Sequence, residues 1–267
     1  MTKITIPDIL RRKAEGKKIT MLTAYDHLFA RIVDEAGIDI VLVGDSLGAV
    51  VQGHATTIPV TMDEMIYHTR MVSRGVTHAL VVGDMPFLSY QISVEEGIRN
   101  AGRFLKEGGA SAVKVEGGAN VIDKVKAMLS SGIPVMGHVG LLPQSVHQMG
   151  GYKVQGKDDA SAERVLNDAL MLEDAGVFAI VMEGIPEGLA KRITSTLSIP
   201  TIGIGAGSHC DGQVMVLYDL LGLLPQPMPK FVRQYASLRE PCIEAIRKFR
   251  EDVEGSRFPG ADETYHS

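Results

Sequence analysis

The sequence predicts an α/β protein of the (β/α)8 TIM-barrel class, and three observations carry that reading. Short β-branched apolar runs alternate with amphipathic stretches along the chain. The ends of seven such runs, near residues 24, 45, 84, 116, 138, 183 and 205, lie about 30 residues apart on average, the length of a βαβ unit. Four runs finish in an acid at or beside a glycine: Val43–Gly44–Asp45, Gly83–Asp84–Met85, Val115–Glu116–Gly117 and Met182–Glu183–Gly184. A carboxylate at the end of a buried strand is costly unless it is hydrogen-bonded or coordinates a metal, so four of them imply one shared polar site. A doubly wound open sheet shows the same alternation, and counting strands does not separate the two. The length of 267 residues suits one barrel, and 45% hydrophobic residues supply its core.

Residues before about Lys17 read as a short helix leading into the first strand, Ile19–Ala24. The later strands are expected at Ile40–Gly44, Ala79–Asp84, Ala112–Glu116, Pro134–His138, Ala179–Glu183, Pro200–Gly205 and, weakest, Val214–Tyr218. Between them, Thr61 with Glu64 and Ser93 with Glu96 have the capping-box spacing that satisfies free N–H groups at a helix start. Ala162, Val165, Leu166, Ala169, Leu170 and Leu172 form a helical stripe up to Ala175. Ala36–Gly37, Gly75, Gly108–Gly109, Gly132 and Gly176 stand where helices should stop. A last helix is expected over Arg239–Val253, followed by a polar, loose tail from about Glu254 to Ser267. No low-complexity linker interrupts the chain, so residues 1–267 read as one barrel domain.

The net charge of −5 argues against a nucleic-acid binder that works by neutralising phosphates. Cys210 and Cys242 have no metal-like spacing and fit a reducing, cytoplasmic setting. The start, Met1–Thr2–Lys3–Ile4–Thr5, lacks the apolar core of a signal peptide, and no apolar run reaches the length of a membrane span.

In a barrel the C-terminal strand ends carry the active site, which places Asp45, Asp84, Glu116 and Glu183 together there. Hard oxygen ligands of this kind suit Mg²⁺, which takes one or two protein carboxylates directly and keeps several waters. Some of the four should therefore act through water or as a base. Lys114, two residues before Glu116, shares its face of the strand. It could hold a substrate carboxylate, stabilise an enolate, form a Schiff base or make a structural salt bridge. His138 also ends a strand; it could bind an anion or carbonyl, or be a buried histidine satisfied by backbone. His54 lies in a loop that could cap the site. Gly203–Ile204–Gly205–Ala206–Gly207 could bind phosphate or let backbone approach a flat ligand. It is not a dinucleotide fingerprint, and no nucleophile elbow stands out.

Several longer motifs carry a resemblance to a known family. They include Thr23–Ala24–Tyr25–Asp26, Val43–Gly44–Asp45–Ser46–Leu47–Gly48, Val51–Gln52–Gly53–His54 and Asp84–Met85–Pro86–Phe87. Further along are Val113–Lys114–Val115–Glu116–Gly117–Gly118, Gly137–His138–Val139–Gly140–Leu141 and Gly150–Gly151–Tyr152–Lys153–Val154–Gln155–Gly156. Nearly end to end, the chain resembles the ketopantoate hydroxymethyltransferase family. The resemblance implies a TIM barrel of the phosphoenolpyruvate/pyruvate superfamily. It implies transfer of a hydroxymethyl group from 5,10-methylenetetrahydrofolate to 3-methyl-2-oxobutanoate, giving 2-dehydropantoate in pantothenate (coenzyme A) biosynthesis. It also implies Mg²⁺ held by Asp45, Asp84 and Glu116, with the keto acid against Asp45, Ser46, Asp84 and Lys114. Glu183 would be the proton acceptor, with His138 and Tyr25 supporting the site from behind. The family's members are homo-oligomers, often decamers. Two other readings stay in view: a mutase, lyase or hydrolase of the same superfamily, and a catalytically dead barrel that senses a small molecule.

Overall fold

The computed structural model describes residues 2–225 and 228–266. The chain divides into two compact units, Met1–Val216 and Leu217–Ser267. In the first, eight strands run β1 (Ile19–Thr23), β2 (Ile40–Val43), β3 (Leu80–Asp84), β4 (Ala112–Glu116), β5 (Val135–Gly140), β6 (Ala179–Glu183), β7 (Thr201–Ile204) and β8 (Gly212–Met215). Each pairs in parallel with the next, and β8 closes on β1. Closure removes the open-sheet alternative. The helices of this unit are α1 (Ile6–Ala14), α2 (His27–Glu35), α3 (Leu47–Val50), α4 (Met62–Gly75), α5 (Val94–Arg103), α6 (Ile122–Ser130), α7 (Val146–Met149), α8 (Asp159–Ala175) and α9 (Glu187–Thr196).

The period of two along each strand decides what fills the barrel. Leu80, Val82, Ala112, Met136, Ala179 and Val181 belong to one buried apolar cluster that also holds Ile19, Met21, Ile40 and Leu42. Two residues further along the same faces come Asp84, Lys114, His138 and Glu183, with Glu116 two beyond Lys114. The lower layers are thus apolar and the top layer is ionisable. Ile4 and Ile9, at and beside α1, join the same apolar cluster. Thr5 and Asp8 cap α1 reciprocally, which fixes where it starts.

Other acids serve the start of the strands rather than their ends. Asp34 accepts from the main-chain N–H groups of Thr77, His78 and Ala79 and from Thr77 Oγ1, which ties α2 to the entry of β3. Asp39 and Asp211 bind the N–H and hydroxyl groups of Thr20 and Thr201 in the same way. These carboxylates satisfy backbone donors that the strand ladder leaves free.

Most boundaries fall where the sequence places them, and two strands differ in extent. Strand β8 begins at Gly212 and ends at Met215, two to three residues earlier than the apolar run suggests. Strand β5 extends to Gly140, which pairs with Glu183. Gly75 ends α4, as the sequence places it, and a Cβ there would stand 2.6 Å from His27 O on α2. Its smallness allows close helix approach. The second unit holds α10 (Leu217–Leu220) and α11 (Arg239–Glu254). Just after α11, Phe258 meets Phe249 edge-on at 5.4 Å, and Arg257 Nε donates to Asp252 Oδ1 at 2.8 Å, which brings these two residues back against the helix.

Candidate active site

Parallel register assembles the polar layer. Asp84 lies opposite Lys114 between β3 and β4, and Glu116 lies opposite His138 between β4 and β5. The first pairing brings Lys114 Nζ to 2.9 Å from Asp84 Oδ1, with both side chains almost wholly buried. Lys114 Nζ is also 3.2 Å from His138 Nδ1. His138 spans the site: Nδ1 is 3.6 Å from Glu116 Oε1, and Nε2 is 3.3 Å from Glu183 Oε2. Asp45, just past β2, joins the group through its main-chain N–H, which donates to Asp84 Oδ2 at 3.3 Å. One connected cluster therefore holds Asp45, Asp84, Lys114, Glu116, His138 and Glu183. Ser46 Oγ hydrogen-bonds Tyr25 OH at 2.9 Å on the neighbouring strand ends. His54 is exposed, and none of the hydrogen bonds of this cluster reaches it.

Charge crowding sets the chemistry. Asp45, Asp84 and Glu116 are 2–5% exposed, so three acids share a dry space. Burial, and then repulsion by Asp84 and Glu116, pushes Asp45 well above the usual carboxylate range. Burial also raises Asp84, although the Lys114 ammonium opposes it. Glu116 is lowered instead: burial works against its charge, but His138 and Lys114 outweigh that cost. Lys114 stays protonated because Asp84, Glu116 and Asp45 overcome the penalty of burying it. For His138, burial and Lys114 disfavour the charge, yet Glu116 and Glu183 prevail and lift it to about 9. Glu183 is the least enclosed member of the set, with 17% of its side chain exposed.

Asp84 Oδ1 and Glu116 Oε1 are buried and accept no well-aligned hydrogen bond; their neighbours are the ion-pair partners Lys114 Nζ at 2.9 Å and His138 Nδ1 at 3.6 Å. Buried hard oxygens with accepting capacity to spare, among crowded carboxylates, are what a divalent cation would need. Among the described residues no group of three His, Cys, Asp or Glu side chains is placed to hold a metal ion. What matches a cation such as Mg²⁺ is the donor chemistry, hard anionic oxygens, of which it takes one or two directly while keeping several waters. The residues fit such an ion on these grounds.

Sequence reading missed three residues behind the acids. Tyr90 is fully buried; its OH accepts from Glu116 N–H and donates toward Glu116 O. Gln144 reaches Asp45 and Glu116, and Gln91 reaches Gln144. All three lie in loops after β3 or β5 with no charge or glycine signature; Pro143 before Gln144 was the one local sign of a fixed turn.

The model of the ketopantoate hydroxymethyltransferase family matches residues 3–261. A 3-methyl-2-oxobutanoate hydroxymethyltransferase of Geobacter sulfurreducens is 58% identical over 255 residues, covering 96% of each chain. One of Pelobacter propionicus is 56% identical over 264 residues, covering 99% of this chain and 98% of that protein. Among solved structures, phosphonopyruvate hydrolase in complex with oxalate and Mg²⁺ superposes with a TM-score of 0.64 at 13% identity, covering 100% of this chain and 92% of that one. A 2,3-dimethylmalate lyase, a member of the PEP mutase/isocitrate lyase superfamily, gives 0.60 at 17%, covering 98% and 91%. These two show the fold alone. The match to the first two extends over nearly the whole chain, and the chain belongs to the ketopantoate hydroxymethyltransferase family.

Proposed function

We propose that this hydroxymethyltransferase moves a one-carbon unit from 5,10-methylenetetrahydrofolate to 3-methyl-2-oxobutanoate, giving 2-dehydropantoate for pantothenate synthesis, with Mg²⁺ as its cation. The observation that carries this reading is the ionisable top layer of the barrel: three buried acids, two of them with an oxygen that accepts no well-aligned hydrogen bond, beside a protonated lysine. Asp45, Asp84 and Glu116 would hold the cation, with Asp45, Ser46, Asp84 and Lys114 around the keto acid. When bound, the cation supplies Lewis acidity to the 2-oxo group. Lys114 places a second positive charge where enolate charge develops. Glu183, the most open of the acids, takes the C3 proton. His138 Nε2, 3.3 Å from Glu183 Oε2, orients that carboxylate, and Tyr25 OH, 2.9 Å from Ser46 Oγ, orients that hydroxyl.

The direct test is tetrahydrofolate release from methylenetetrahydrofolate with 3-methyl-2-oxobutanoate, with and without Mg²⁺. Release that needs both the keto acid and the metal is expected. Keto-acid turnover without folate would favour a lyase or hydrolase of the same fold instead.

The acids also dictate a pH dependence. Asp45 and Asp84 sit above their ordinary values, so the folded chain without cation binds protons that the unfolded chain has shed. Without cation, their contribution to stability is therefore fullest below about pH 4, the ordinary Asp value, and is lost as pH rises through the raised values. A divalent cation binds the ionised acids and displaces those protons. The rise in melting temperature on adding Mg²⁺ should accordingly grow between pH 5 and pH 8, with proton release seen by calorimetry in buffers of different ionisation enthalpy. A Mg²⁺ effect that is flat in pH would count against these acids as the site.

We also read the protein as a cytoplasmic homo-oligomer, a decamer if it follows the resemblance. Cys210 and Cys242 are free thiols, as in a reducing compartment, and no described helix is long and apolar enough to cross a membrane. Leu28 and Ile32, one turn apart on α2, are 66% and 49% exposed, which suits burial against a second copy. Light scattering that returned a monomer would overturn the oligomer reading.

A further inference from the structure

We propose that Gln144 is a positioning residue that sets the carboxylates of Asp45 and Glu116 for the divalent cation. The inference rests on the cation reading above and adds a residue whose chemistry is neither acidic nor basic.

Gln144 lies in the single 3₁₀ turn Pro143–Gln144–Ser145 that follows β5, and it is 4% exposed. Its polar groups are all engaged. The main-chain N–H donates to Glu116 Oε2 at 3.0 Å. Side-chain Nε2 donates to Asp45 Oδ2 at 3.0 Å and to Met85 O at 2.8 Å. Oε1 accepts from Gln91 Nε2 at 3.2 Å and lies 3.1 Å from Tyr90 OH, whose one proton it shares with Glu116 O at 3.0 Å. A glutamine amide has two N–H donors and two acceptor sites, and here each has a partner. Met85 O can only accept, so Nε2 must face it; the reverse orientation would set Oε1 against a carbonyl and a carboxylate. The amide is therefore locked.

The lock has a direction. Gln144 takes one oxygen of Asp45 and one of Glu116, acids that come from β2 and β4, more than 70 residues apart in the chain. For Glu116 the other oxygen, Oε1, is then the one left buried without a hydrogen bond. The residue decides which carboxylate oxygens take its hydrogen bonds and which are left, Glu116 Oε1 with only His138 Nδ1 at 3.6 Å, to face an ion. It also spreads two of the crowded negative charges onto N–H donors without adding a positive charge that would repel a cation. Tyr90 completes the frame: its hydroxyl takes the Glu116 N–H while supporting Gln144 Oε1. Hydrogen bonds that orient metal ligands from behind commonly set affinity by about 10–100-fold.

The test uses the full-length protein and Mn²⁺ as a spectroscopic probe, followed by electron paramagnetic resonance and calorimetry. Gln144→Met keeps the length of the side chain and the main-chain N–H but removes both side-chain donors. Its Mn²⁺ dissociation constant should rise about 10–100-fold, and the spectrum of the bound ion should broaden as the ligands lose their fixed orientation. Gln144→Glu restores shape but sets an acceptor against Met85 O, so it should not recover the wild-type spectrum. Tyr90→Phe removes one of two supports of Oε1 and should weaken binding in the same direction by less; it serves as the measurable variant if Gln144→Met does not fold. If wild type binds no Mn²⁺, the cation reading itself fails. If wild type binds and Gln144→Met, folded by its melting curve in chelator, binds within twofold with an unchanged spectrum, Gln144 is structural only and the proposal is wrong.

Discussion

Asp84→Asn is expected to cut turnover by about 10³-fold or more while the protein stays folded. Asp84 has two tasks in the proposed site. One oxygen, Oδ1, stands 2.9 Å from Lys114 Nζ with no well-aligned hydrogen bond, and the other holds the Asp45 N–H. The asparagine keeps the size but removes a hard anionic ligand. Lewis-acid stabilisation of developing charge contributes several kcal/mol, and each 1.36 kcal/mol is about tenfold in rate. A loss of about 4 kcal/mol gives the stated factor. The folding side runs the other way. Burial and Glu116 raise Asp84 above its ordinary value, so its ionised form is a burden to the chain when no cation is bound. Removing that charge should leave the melting temperature in chelator at or above wild type near neutral pH. The Mg²⁺-induced rise in melting temperature should largely disappear. Activity within tenfold of wild type would remove Asp84 from the cation site; a collapse of stability in chelator would make it a structural partner of Lys114 first.

The barrel and its polar end were legible in the sequence because period and punctuation coincide there. Ala112–Val113–Lys114–Val115–Glu116 alternates, and the alternation alone puts Lys114 and Glu116 on one face; the register then sets Asp84 opposite Lys114. Asp34 and Asp39 show where this logic stops. They are buried acids beside apolar runs too, yet they bind main-chain N–H groups at strand entries. Only their position before rather than after a strand separates them from Asp45 and Asp84. His138 could be placed at a strand end, but its bridge between Glu116 and Glu183 depends on three neighbouring strands and their shared register. Gln144, Gln91 and Tyr90 left no pattern at all. Neutral side chains in loops are indistinguishable from solvent-facing ones until the closed barrel buries them. The early end of β8 has a similar origin. Val214 faces the barrel core, but the apolar residues after it, Val216 and Leu217, belong to the next turn and helix rather than to the ladder.

Glu183→Gln separates binding from proton transfer, and its effect should be nearly as large. In D₂O with Mg²⁺ and no folate, the wild-type protein is expected to exchange the C3 proton of 3-methyl-2-oxobutanoate for deuterium. The proposed cation ligands, Lys114 and Glu183 all belong to this chain, so enolisation needs no second substrate. Glu183→Gln should slow that exchange by about 10²-fold or more, the usual contribution of a positioned acid or base. Keto-acid binding should survive, because Asp45, Asp84, Glu116 and Lys114 are untouched. The geometry adds a second expectation. His138 Nε2 is 3.3 Å from Glu183 Oε2, and its elevation to about 9 comes in part from that carboxylate. Loss of the Glu183 charge should lower the His138 value, which ¹⁵N chemical shifts of the imidazole can follow across pH. A structural glutamate would show the shift in His138 without the loss of exchange. Exchange at the wild-type rate in Glu183→Gln would assign the base elsewhere, with Tyr25, 2.9 Å from Ser46, the next group to replace. Exchange absent in wild type until folate is added would mean that the second substrate completes the site.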